Sequence, residues 1–149
     1  MPMPDDTPKR PSTPGRLILL LAGAMAVMLV WPAMAASYWN HNGSLMRLEA
    51  DGERRMFTYE EPRQVLRRAG VRVGTVLFDG RNTGDYYVGR ARRFSKHCDD
   101  PLVYQVEGPV TDGGTKIVMR GTREVYASGC RPTRRTVEDV LVFTYEWSD

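Results

Sequence analysis

Two histidines, two cysteines and a set of alternating arginines are the side chains of this chain whose types and spacing bear on chemistry. His41 stands in Trp39-Asn40-His41-Asn42-Gly43-Ser44, an imidazole three residues from a hydroxyl. Nucleophilic catalysis needs a hydroxyl beside a base that a third group orients, and Ser44, His41 and a carboxylate such as Asp79 can be written as that set. No G-x-S-x-G elbow surrounds Ser44, and the same stretch also reads as an Asn-Gly turn into a strand with Trp39 packed on the end of a β domain. A small extracytoplasmic hydrolase or transferase centred on His41 is therefore the alternative reading.

Arg90 and Arg92 alternate with Tyr86, Val88 and Phe94, so they share one face of a strand. Guanidinium groups beside an aromatic ring suit a small anionic, planar or sugar-phosphate ligand through bidentate hydrogen bonds and stacking. As a solvated face paired with acids on the next strand, each would be worth about 0–1 kcal/mol. Arg131, Arg134 and Arg135 form a second basic patch, facing either solvent or anionic envelope polymers and lipid headgroups. Glu60-Glu61, Asp99-Asp100 and Glu138-Asp139 are sequence neighbours, whose side chains point apart on a strand and make no acid/base dyad. Metal-ligand spacing, a phosphate loop and a dinucleotide fingerprint are all missing, so neither metal nor cofactor is expected.

Cys98 and Cys130 are the whole thiol inventory. Their meaning depends on compartment, and residues 1–36 bear on that. Lys9, Arg10 and Arg16 precede an uncharged run from Leu17 that ends in Ala33-Met34-Ala35-Ala36, the layout of an export signal cut after Ala35. An uncleaved membrane anchor is the other reading, since the run approaches the roughly 20 residues that span a bilayer. Either way the positive-inside rule puts the rest of the chain in the extracytoplasmic space, periplasmic or secreted, with any membrane contact made through the uncleaved N-terminal segment. There an isolated cysteine pair reads as a disulfide.

Residues 36–149 are enough for one domain. Of the 21 Lys plus Arg and 18 Asp plus Glu of the chain, three and two lie in the leader, leaving 18 cations against 16 anions. The two signs are interspersed, which argues against nucleic acid as a partner.

The elements that must position these residues are strands. Period-two alternation predicts strands over residues 45–50, 54–59, 71–79, 86–94, 102–107, 116–122 and 140–147, with Asp51-Gly52 and Asp112-Gly113-Gly114 as turns. Residues 63–69 read as a short helix between Pro62 and Gly70. Gly80 to Gly84 reads as a loop, Gly108-Pro109 as the end or bulge of a strand, and residues 123–139 as irregular. Seven strands with frequent turns predict an all-β domain, a small antiparallel up-and-down barrel closed by residues 140–147, with a two-sheet sandwich as alternative.

Trp39-x-His41-Asn42-Gly43-Ser44-x-Met46, Phe57-x-Tyr59-x-x-Pro62-Arg63 and Gly70-Val71-x-x-Gly74-Thr75-x-Leu77-Phe78-Asp79-Gly80 together resemble a type of small exported bacterial protein. The resemblance implies an envelope setting and a compact β domain, and brings no activity or binding residue with it. The function expected is a noncatalytic envelope module that binds a protein, a glycan or a small anionic ligand, in its mouth or on the face of Tyr86, Arg90 and Arg92.

Overall fold

The computed structural model describes residues 35–149, so the expected leader falls outside the described residues except for Ala35, which opens the first strand. Eight strands form a closed antiparallel barrel in sequence order: β1 (Ala35–His41), β2 (Ser44–Asp51), β3 (Arg54–Glu61), β4 (Val76–Asn82), β5 (Tyr86–Arg93), β6 (Leu102–Thr111), β7 (Lys116–Ala127) and β8 (Arg131–Ser148). Closure comes from β8, whose Tyr145 and Thr144 register with Trp39 and Asn40 of β1. That pairing selects the barrel over the sandwich and leaves the main sheet without an edge.

β1 was not expected. Its alternation is hidden because Ser37 and His41, on the same face as Trp39, are polar. Both are satisfied: Trp39 Nε1 donates to Ser37 Oγ at 2.8 Å, and His41 Nδ1 lies 2.8 Å from the Val142 carbonyl. Asn42 and Gly43, at φ 50° and 78°, make the two-residue turn into β2.

Four other expectations are corrected. Residues 71–75 are not strand; they belong to a strap that crosses one end of the barrel, and β4 starts at Val76. Gly80 continues β4 instead of opening a loop. It registers with Gly89 of β5, and a Cβ on Gly80 would stand 2.7 Å from Cζ of Phe78, whose ring covers the pair. β6 runs straight through Gly108-Pro109, with Pro109 exposed. Residues 123–139 are mostly strand: β7 and β8 pair from Lys116–Thr144 out to Ala127–Arg131, with one irregularity between Glu124 and Tyr126, so their hairpin projects past the barrel as a two-stranded arm. Its tip is bonded to the β5–β6 loop by the expected Cys98–Cys130 disulfide, with Cα atoms 5.6 Å apart.

The interior is filled by side chains, as an eight-stranded barrel allows. Rings run through it in contact: His41 stacks on Phe143 at 4.6 Å, Phe143 on Phe57 at 4.0 Å, and Phe57 meets Phe78, which meets Tyr87. Met46, Leu48, Val106, Ile117, Met119 and Leu141 pack around them. The outer face carries Arg47, Glu49, Asp79, Arg90, Glu107 and Arg120. This is the inverse of the apolar exterior that a lipid-embedded barrel needs. Among the described residues no helix is long and apolar enough to cross a membrane.

Candidate functional site

β1, β3, β5 and β7 all run toward one end of the barrel, and that end is where the interior opens. The short helix α1 (Gln64–Arg68) and the strap that follows it lie across the opening. The strap is fixed from inside by Leu66 and the fully buried Val71, and from β3 by two backbone bonds, Tyr59 N to Thr75 O at 3.0 Å and Gly74 N to Tyr59 O at 2.8 Å. Beneath it remains a cavity of about 390 Å³, within the range of small-ligand sites. Its apolar walls come from Leu66, Leu77, Phe94 and Leu141, and its polar groups from His41, Tyr59, Arg63, Arg93, Tyr104 and Asp139.

Tyr59 is 2% exposed, and its hydroxyl has no hydrogen-bond partner among the described residues. Burial pushes this phenol up to about 12, against the opposing pull of the Arg63 and Arg93 guanidinium groups, so it stays an O–H donor at neutral pH. Arg93 continues the inward-facing row of Tyr87, Gly89 and Ala91 on β5. It is also close enough to Tyr104 and Asp139 to act on both. Neither Arg63 nor Arg93 forms an ion pair among the described residues. A buried donor near two exposed guanidinium groups, neither of them in an ion pair, on an apolar-walled cavity is suited to an oxyanion with an apolar body.

The opposite wall is internally satisfied. Tyr104 donates to Asp139 Oδ2 at 2.7 Å, and Arg123 Nε donates to the same oxygen at 2.9 Å. Burial alone would raise the Asp139 carboxyl, but these two donors outweigh it and hold the group below its ordinary value. Burial, then the bond to Asp139, push the Tyr104 phenol up.

The two catalytic candidates meet without forming a catalytic pair. His41 and Ser44 are register partners at the β1–β2 turn. The Ser44 oxygen, fully buried, accepts the backbone N–H of Arg63 at 3.0 Å. His41 Nδ1 faces the Val142 carbonyl, and its Nε2 lies 3.3 Å from Asn42 Nδ2. Burial lowers the imidazole, which leaves it neutral with the proton on Nδ1 and Nε2 accepting from the amide. Asp79 is elsewhere: on the outer face of β4 it is gripped by Arg90 Nη2 at 2.7 Å and Arg92 Nη1 at 2.6 Å. Burial would raise its carboxyl, and the two guanidinium groups hold it down.

Arg90 and Arg92 thus share a face as expected, and a carboxylate from the next strand occupies both. Tyr86 stands at the far end of β5, opposite Pro109. Tyr59, Arg63, Arg93, Tyr104 and Asp139 were not singled out from the sequence. The one available signal was parity: Arg93 sits one residue from Arg92 and so takes the side of β5 that faces the mouth, at the exposed end of the strand. No protein-family model, curated protein or solved structure matches the chain, so function is argued from the chemistry of the site.

Proposed function

We propose that the domain is a noncatalytic extracytoplasmic binding module that takes a small amphipathic anion in the mouth of its barrel. The observation that carries this reading is the convergence of the unpartnered Tyr59 hydroxyl, Arg63 and Arg93 on a cavity walled by Leu66, Leu77, Phe94 and Leu141. The anionic group of the ligand would sit against the two guanidinium groups and the phenol, and its apolar part against the leucines and Phe94. Export is supported by the pattern of residues 1–36, and the disulfide is consistent with an oxidising compartment. The Tyr86, Arg90, Arg92 face gives way to the mouth because Asp79 already neutralises much of it.

The test is a fluorescence titration with the anionic aromatic probe 1-anilinonaphthalene-8-sulfonate, beside a neutral naphthylamine of similar size. One probe should bind per domain. Removing a charge-assisted contact by Arg93→Ala should weaken the anion by about tenfold or more, with little change for the neutral compound. Equal affinity for the two compounds, or an Arg93→Ala variant that binds like the parent, would overturn the reading.

A further inference from the structure

The strap that crosses the mouth, residues 62–75, carries Arg63, Arg67, Arg68 and Arg72 and no Asp or Glu. On the barrel wall several arginines are answered by carboxylates: Arg47 by Glu49, Arg90 and Arg92 by Asp79, Arg120 by Glu138, Arg123 by Asp139; what sets the strap apart is four arginines within ten residues with no acid among them. None of the four strap arginines forms an ion pair among the described residues. Arg67 Nε and Arg72 Nη1 instead donate to carbonyls of the strap itself, those of Pro62 and Arg67, each at 2.8 Å. The strap also holds the two most exposed large hydrophobic residues described, Val73 at 69% and Val65 at 56%. Leu66 and Val71 hold the segment down, so the two valines stand out among cations that form no ion pair, with Glu61 the one carboxylate lining the groove beside Arg67, Arg68 and Arg72.

We propose that this strap is a docking surface for an anionic phospholipid bilayer, with Arg67, Arg68 and Arg72 on headgroup phosphates and Val65 and Val73 entering the interface. Cations beside protruding apolar side chains gain from both layers of such a surface, the charged headgroups and the acyl boundary below them. A soluble acidic polymer would answer the charge and leave both valines in water. The strap adjoins the mouth, which lets an amphipathic anion move between bilayer and cavity. This contact is additional to any made by the N-terminal segment, and it stands or falls separately from binding in the mouth.

The full chain, expressed with its own leader and purified, is sedimented with vesicles of phosphatidylglycerol and phosphatidylethanolamine, and with phosphatidylcholine vesicles. Salt-sensitive binding to the anionic vesicles in excess of any to phosphatidylcholine is the expected result. The double variant Arg67→Gln, Val73→Asp alters two residues that do not line the mouth cavity. It should lose at least tenfold in vesicle affinity, one arginine near the surface being worth about fivefold. Its titration with the naphthalene sulfonate should match the parent.

Should that variant not fold, the parent protein decides the matter through Trp147, which lies in one groove with Arg67 and Arg72. In a Trp31→Phe background, which takes the N-terminal segment out of the signal, brominated phosphatidylglycerol should quench its fluorescence, and Trp147→Phe should remove the quenching. Failure to sediment with anionic vesicles, quenching that persists in Trp147→Phe, or a folded double variant that binds vesicles like the parent would each overturn the proposal. So would equally tight binding to soluble polyglutamate that is indifferent to Val73→Asp.

Discussion

Replacing both cysteines by serine, Cys98→Ser with Cys130→Ser, isolates the contribution of the one covalent cross-link. The bond spans a sequence separation of 32. Counting both ends, the loop is about 33 residues, for which the chain-entropy relation gives about 3.7 kcal/mol at 25 °C. In a domain of this size, about 4 °C of melting temperature accompanies each kcal/mol, so the midpoint should fall by about 15 °C. The loss should be carried by the unfolded state, because the barrel closes through β1 and β8 and does not need the bond. Tyr59 and Arg93 sit on β3 and β5, so the folded double variant should still bind the naphthalene sulfonate. The assay is urea unfolding of parent and variant followed by tryptophan fluorescence, with reduced parent as a second sample. A shift in midpoint at unchanged slope reports stability alone. A loss below about 1 kcal/mol at unchanged slope would refute the entropic argument, since it would mean that residues 98–130 are already constrained in the unfolded chain.

Three further outcomes follow from the packing and the electrostatics. Phe143→Ala removes a fully buried ring stacked on both Phe57 and His41, and should cost about 3–5 kcal/mol in the same urea assay. Ser44→Ala strands the backbone N–H of Arg63 and should cost about 1–2 kcal/mol. Burial lowers the His41 imidazole in the folded state, so as pH falls below the ordinary histidine value of about 6.5 the unfolded chain takes up the proton first. Stability should therefore decline with falling pH from about 6.5 down to the lowered folded value, and His41→Gln should flatten urea midpoints across that window. The Asp139 and Asp79 carboxyls, both held below their ordinary values, add a second decline in the acid range below it.

Much of the fold was legible because burial on one side of a strand writes a period of two. β2 and β3, with Leu48 and Phe57 inward, and the turn after Asp51 follow from that pattern. Where the pattern is broken by satisfied polar groups it misleads, as in β1. Where a strand needs no partner on its second side it also misleads: the arm of β7 and β8 is open on both faces, so Tyr126 and Val137 are exposed among polar neighbours, and only its register reveals a hairpin. Gly80 signals a loop in one dimension and, against Gly89, a close cross-strand approach in three.

The sequence by itself determined the class of the domain, the identity of the disulfide and the face shared by Arg90 and Arg92, since each depends on composition or on neighbours in the chain. Only the tertiary structure decided which cations remain unanswered. Arg92 and Arg93 are adjacent and chemically identical; one forms an ion pair with Asp79 on the next strand, and the other stands at the mouth of the barrel without an ion pair, near an Asp139 whose carboxylate Tyr104 and Arg123 already hold. Charge compensation is a contact between strands, set by register and closure, and Tyr59, Arg63 and Arg93 come together only when eight strands return to the first.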